Sequence, residues 1–349
     1  MKKGASLKLQ LDRERRKVDV DQFDVTLREI VRMCASNELK RAPAYQRKFR
    51  WDERDESRLI ESFLLGLPIP NIFVATNDNG TWELVDGLQR VSTILHFIAK
   101  PSAVLKDIGK GAPLTLGHLT TLTSFNGRTF ADLPMPIRLM LYKRSIRVTA
   151  LSDKSDPNVR FDMFDRLNSG GIALTAQEIR ACIYSGDFVE FLRKRAGNPR
   201  FLSLLKLPRA KQNDGTKEEL VLKFFAYLNN RDRFTSSVKR FLNEYIELAV
   251  EQFDYPESEK LFDAVVEKLA TLVGGAVLRQ DSKVTPLNQL EALMVACAEL
   301  IREGKEIATP PDGWLDDEQL RSFSSVGTNS RANLTGRINR AKELLSVTS

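Results

Sequence analysis

The sequence predicts an α+β fold: a small mixed-sheet N-terminal unit followed by an all-helical C-terminal unit. Three observations lead there. The β-rich runs lie before residue 151. From about residue 175 onward, apolar residues recur at three- and four-residue spacing with few breaks. The length, 349 residues, suits two structural units, each large enough to bury a core. The expected organisation is a basic N-terminal arm over 1–20, an α+β domain over 21–151 with a loop-rich insertion about 100–130, and a helical domain over 152–349.

The elements follow in order. Thr26 and Glu29 form a capping-box pattern that opens a helix to about Asn37, with Leu27, Ile30, Val31 and Cys34 on one face. Residues Ala44–Trp51 alternate basic and aromatic side chains and read as extended chain. Asp52 starts a second helix, striped by Leu59, Ile60, Phe63 and Leu64 and stopped at Gly66 and Pro68. Asn71–Thr76 and Thr81–Asp86 are strands joined through Asn77-Asp78-Asn79-Gly80, a hairpin signal. Leu88 begins a helix carrying Val91, Ile94, Leu95 and Ile98. Pro136–Tyr142 is a short helix and Ser145–Leu151 a strand. Asp156-Pro157 opens a helix to Leu167, ended by Ser169-Gly170-Gly171, and Thr175 to Glu178 is another capping box. Further helices are expected over 175–185, 187–196, 216–229, 235–253, 257–280, 285–304 and 328–346.

Composition narrows the function classes. Cys34, Cys182 and Cys297 are far apart and odd in number, so neither a disulfide framework nor a metal-type pair is legible and a reducing cytosol is the expected setting. His96 and His118 are the only histidines, which argues against a multi-histidine metal centre. No apolar leader follows Met1, and no run approaches the roughly 20 apolar residues of a membrane helix. The net charge is +7. Residues 1–50 hold 14 basic and 7 acidic side chains and account for that whole surplus. A basic arm suits a polyanion, and equally a solvated terminus.

The segment Val85-Asp86-Gly87-Leu88-Gln89-Arg90 carries most chemical information. It sits where a strand ends and a helix begins, so backbone amides and the positive helix end converge on an anion. Gly87 permits a tight turn and close approach of a ligand. Arg90 offers a forked donor to phosphate. Gln89 can reach a base, sugar or water, and Asp86 can hold a metal, orient a water or bind a ribose hydroxyl. The plainer alternative is a D-x-x-Q capping box with a solvated Arg90. A second cluster, Gln46-Arg47-Lys48-Phe49-Arg50-Trp51, pairs phosphate-binding cations with rings suited to stacking on a base; the alternative is a packed Trp51 beside a basic loop. A third, Phe164 to Gly171, contains Asn168 and reads most simply as a helix C-terminus. No phosphate-loop or nucleophile-elbow pattern occurs. His96 reads as a packed or surface residue, and Glu218-Glu219 with Lys217 and Lys223 as a solvated helix face.

Taken in order, the blocks YQRKFRW, LIESFLLGLPIPNIFV, WELVDGLQRVSTILHF and FDRLNSGGIALTAQEIRACIY resemble domain-of-unknown-function family 262. This is the N-terminal domain of GmrSD-type restriction endonucleases, placed in the ParB/sulfiredoxin-like superfamily. The resemblance covers about residues 20–190. It implies a nucleotide pocket whose D-G-Q-Q-R signature is tied to NTP hydrolysis, in proteins of bacterial defence against phage. Asp86, Gly87, Gln89 and Arg90 match that signature; Gln46, Arg47 and Trp51 match the upstream block and Asn168 the downstream one.

Two departures matter. Leu88 replaces the first glutamine and cannot orient a water, so binding is better supported than hydrolysis. No histidine follows His118, so a fused HNH-type nuclease is not expected. The resulting expectation is an NTP-binding regulatory or sensor component of a restriction-type system, with NTP hydrolysis secondary to binding. Asp86, Gln89 and Arg90 are its candidate catalytic residues. Gln46, Arg47, Trp51, Gly87, Arg90 and Asn168 are its candidate nucleotide-binding set. Mg²⁺ would accompany the NTP, with Asp86 as the candidate ligand, and no zinc, heme or flavin is expected. The expected partners are NTP, DNA and a separate nuclease or effector subunit. The alternatives are a DNA-binding module acting through the basic N-terminal segment and a non-catalytic interaction scaffold.

Overall fold

The computed structural model describes residues 8, 19–41, 49, 51–77, 79–99, 103–152, 156–167, 175–184, 186–325 and 327–346. Most of the basic arm, Gln46, Arg47 and Asn168 lie outside the described residues. By compactness the chain divides into two units, Met1–Leu174 and Thr175–Ser349.

The first unit is built on a five-stranded mixed sheet. Its strands are β1 (Val20–Thr26), β2 (Leu39–Lys40), β3 (Ile72–Thr76), β4 (Trp82–Asp86) and β5 (Ser145–Leu151), in the spatial order β1-β5-β3-β4-β2. β1 pairs antiparallel with β5 from Val20↔Leu151 to Thr26↔Ser145, and β3 runs parallel to β5 with Ile72 opposite Val148. The hairpin forms as expected: β3 and β4 are antiparallel, and Asn77 N donates to Thr81 O at 2.9 Å. Neither β1 nor β2 was expected from the sequence. β1, VDQFDVT, is exposed at most positions and lacks a clear apolar alternation. It is held by its ladder to β5 rather than by its own side chains. β2 is two residues long.

The helices of this unit are α1 (Leu27–Ala35), α2 (Glu53–Leu65), α3 (Leu88–Ile98), α4 (Ala103–Asp107), α5 (Met135–Lys143) and α6 (Pro157–Leu167). The capping box expected at α1 is half formed. Thr26 accepts from Glu29 N, but the Glu29 carboxylate is taken by Arg32. α2 is capped by Asp52, which accepts from Asp55 N, and ends at Gly66 in the left-handed conformation. Leu27, Ile30, Ile60, Phe63, Ile72, Val74, Val91, Ile94 and Val148 meet in one core. The stretch after α4 is irregular, as expected, yet anchored. Ser57 of α2 accepts from Gly117 N at 3.0 Å, Glu61 accepts from Leu122 N at 2.8 Å, and Leu114, Leu116 and Leu119 are buried.

The second unit is helical: α7 (Ala176–Ile183), α8 (Asp187–Ala196), α9 (Pro199–Ser203), α10 (Thr216–Asn230), α11 (Val238–Gln252), α12 (Tyr255–Val273), α13 (Leu287–Arg302), α14 (Glu318–Ser325) and α15 (Arg331–Leu345). The Thr175–Glu178 capping box is complete. α12 stops short of the expected residue 280 because Gly274 adopts a left-handed C-cap at φ 70°. The short α9 and α14 escaped the sequence reading, being too brief for a periodic signal. Phe225 packs against Phe224, Phe253 and Phe262 at the centre of this unit.

Candidate functional site

The site forms where β4 hands over to α3. Asp86 closes the strand, and Gly87 turns the chain at φ 103° and ψ 13° to become the N-cap of α3. A side chain at this position would be strained, and it would also collide: a Cβ would stand 2.4 Å from Ile72 Cγ2. Gly87 is therefore required by the turn and by the neighbouring strand together. No side chain caps the first turn of α3, so its positive end stays open.

The D-x-x-Q capping alternative is not what forms. Asp86 accepts instead from Arg90, Nη2 to Oδ2 at 2.7 Å, and the same nitrogen donates to the Asn71 carbonyl at 3.0 Å. Arg90 is only 16% exposed, and its Nε is buried without a partner. Nη2 is thus committed to the protein, while Nε and Nη1 remain as donors. Gln89 Oε1 accepts from the backbone N of Trp51 at 3.1 Å. This bond ties the upstream block to the signature. The Trp51 ring is partly buried and packs on the core, nearer to the packed alternative than to a free stacking platform. Leu88 is buried under α3 in the same core.

The structure therefore brings Trp51, Asp86, Gly87, Gln89 and Arg90 together. Asn71 and Ile72 complete the arrangement and were missed. Their roles come from a backbone carbonyl and a methyl group contributed by the neighbouring strand, which leave no local pattern. Among the described residues no group of three or more His, Cys, Asp or Glu side chains forms a metal cluster. Asp86 offers one carboxylate, with Oδ2 already held by Arg90. A single carboxylate fits a Mg²⁺ that arrives with phosphate ligands, not a cage made by the protein.

A buried polar cluster lies on the same helix. His96 Nδ1 is 2.5 Å from Glu56 Oε2, His96 Nε2 is 2.9 Å from the Ala112 carbonyl, and Lys110 Nζ is 3.0 Å from Glu56 Oε1. The carbonyl can only accept, so Nε2 carries a hydrogen and one proton is shared between Nδ1 and Glu56. Lys110 also sits over the Phe49 ring, 4.8 Å from its centroid. His96 is thus packed, as one of the two sequence readings held, and it is hydrogen-bonded to Glu56 as well. His118, exposed, adopts φ 60°.

The α+β unit thus carries a strand–glycine–helix turn with a paired Asp and Arg. Residues 28–185 match the model of the GmrSD restriction endonuclease N-terminal domain. No curated protein matches the chain. Among solved structures, a Pnob8-like ParB-N domain aligns with 94% of this chain and 99% of its own at 9% identity and a TM-score of 0.23. A likeness this slight supports no structural argument. No helix among the described residues is long and apolar enough to cross a membrane.

Proposed function

We propose that residues 28–185 bind a nucleoside triphosphate and act as the sensor or regulatory part of a restriction-type bacterial defence system, with the effector nuclease on a separate chain. The observation that carries this reading is the uncapped start of α3 behind Gly87, with Arg90 set beside it by Asp86 and Asn71. Open amides and a pre-oriented guanidinium are what a phosphate requires. Asp86 holds Arg90 in place, Gly87 lets phosphate approach the backbone, and Gln89 braces the Trp51 segment along the rim. Mg²⁺ would neutralise phosphate charge when it enters with the nucleotide. With Leu88 buried where the family carries glutamine, binding is the primary activity and hydrolysis a slower one.

The test is a titration of the full chain with ATP, GTP, CTP and UTP plus Mg²⁺, with turnover followed in parallel. Arg90→Lys keeps the charge but loses the fork, and is expected to weaken binding at least tenfold. Equal affinity of the Lys variant, or no binding to a folded wild-type protein, would overturn the proposal. DNA binding through the N-terminal segment is the second reading, favoured by the 14 basic residues in 1–50. It requires affinity that falls steeply with salt.

A further inference from the structure

We propose that the first unit carries a docking groove along α5, and that its occupant is an acidic segment of a protein partner with apolar anchor side chains. The groove has a volume of about 480 Å³ and is lined by Pro136, Leu139, Met140, Lys143 and Arg144. None of the residues of the 86–90 turn lines it, so the inference does not depend on the nucleotide reading.

An ordinary surface helix turns its apolar residues inward and its polar ones outward. α5 is apolar on both faces. Leu141 is buried and Ile137 packs on the core. Met135 and Leu139, and Pro136 and Met140, are four residues apart and share the opposite face, which is exposed. The end of α2 extends this surface. Arg144 Nη2 donates to the Leu64 carbonyl at 3.3 Å, and a Cβ on Gly66 would stand 3.1 Å from the same nitrogen, so Leu65 and Leu67 flank the C-terminal end of α5. Leu65, Leu67, Met135, Leu139 and Met140 are 37–58% exposed. Among the described residues of the unit, Phe23 is the one other large apolar side chain so exposed. Exposed apolar side chains gathered in one place mark an interaction site, where scattered ones do not.

The charge beside the groove selects the occupant. From Pro134 to Arg144 the chain carries the cations Arg138, Lys143 and Arg144 and no acid. Among the described residues no carboxylate pairs with any of them. The nearest acid in the chain, Asp132, is turned back onto the amide and hydroxyl of Thr129. At 3.6 residues per turn, Arg138 and Arg144 fall on opposite flanks of the apolar stripe, and Lys143 lies within it at its C-terminal end. A second copy of this face would set like charges against one another. A nucleic acid would pair with the cations and leave the methionine and leucine side chains in water. A protein segment whose carboxylates flank apolar anchors satisfies both, with the anchors in the groove and the carboxylates on its rim. The pliable methionines let the groove shape itself to the anchor.

The experiment is fluorescence anisotropy on the full chain with a labelled peptide of about 16 residues, long enough to hold a helix, with leucine on one face and glutamate on the other. Matched peptides carry lysine for glutamate, or alanine for leucine. The glutamate–leucine peptide is expected to bind one-to-one and saturably, and the other two about tenfold more weakly. Leu139→Gln together with Met140→Gln should weaken binding about tenfold with unchanged melting, since both side chains are exposed. Val250→Gln, at an exposed position of the second unit, should leave binding as it was. Lys143→Glu should weaken binding of the glutamate peptide about tenfold and tighten that of the lysine peptide. No saturable binding of the glutamate–leucine peptide to folded wild-type protein would overturn the inference, as would equal binding of all three peptides. So would unchanged affinity in the Leu139 and Met140 double variant. Tighter binding of duplex DNA or of phosphatidylserine-containing vesicles, lost in Lys143→Glu, would assign the face to a different partner and overturn it too.

Discussion

Arg90 reaches back one helical turn to Asp86, Nη2 to Oδ2 at 2.7 Å, and through the same nitrogen holds the Asn71 carbonyl at the mouth of β3. One guanidinium thus joins the end of β4, the start of its hairpin partner β3 and the first turn of a helix. Both partners are under a third exposed, so the pair is worth more than a surface salt bridge. Asp86→Ala leaves Arg90 without its counter-charge and should cost about 1–3 kcal/mol in urea unfolding. A loss under about 0.5 kcal/mol would mean that solvent screens the pair.

Gly87→Ala combines a strained φ with a contact no real Cβ makes against Ile72. The expected loss is about 2–4 kcal/mol, from the backbone and from overpacking. Ile72→Ala removes the Cγ2 obstacle. The double variant should therefore lose less than the sum of the two single ones, read from a double-mutant cycle.

Glu56 is fully buried between His96 and Lys110. Glu56→Ala leaves the buried His96 Nδ1 and the Lys110 ammonium without their shared partner and should cost about 1–3 kcal/mol. Replacing Glu56 and His96 together by leucine removes the principal pair and should recover part of that loss. If the double variant is as unstable as the sum of the single ones, the two side chains are not coupled.

Cys34 and Cys297 should resist thiol reagents in the folded protein. Burial pushes both thiols up to about 12, against the opposing pull of Arg41 on one and Lys268 on the other. The thiolate is the reactive form, and it is scarce at neutral pH. Peptide mapping after alkylation should find both residues unlabelled natively and labelled in urea. Rapid native labelling of Cys34 would show that α1 opens.

The Arg32 guanidinium beside Glu38, helped by the Ser36 hydroxyl, holds that carboxyl down at about 2, from an ordinary 4.5. A depressed carboxylate pKa stabilises the fold fully above the ordinary value and progressively less as pH falls toward 2. Melting temperatures of the wild type and Arg32→Gln should therefore differ above about pH 4.5 and converge near pH 2. A gap that stays constant across that range would refute the linkage.

Much of this protein was legible in one dimension. The β3–β4 hairpin, the turn into α3 and most of the long helices rest on local signals: Asn-Gly turn chemistry, capping residues and apolar spacing of three and four. The chain at 86–90 announces a strand, a glycine and a helix start, so sequence alone determined where the candidate site lies. The partners in that site depended on tertiary structure. Asp86 chose Arg90 over a capping role because β3 carries the Asn71 carbonyl to the same guanidinium. Gln89 chose Trp51 because α2 packs beside α3. β1 is a strand through its ladder to β5, and His96 is buried and Glu219 and Lys223 half-buried because elements distant in sequence close over them. Periodicity and capping act within a few residues of chain and can be read from it. Ion pairs, strand ladders and close backbone approach join residues tens of positions apart, and only the folded chain brings them within reach.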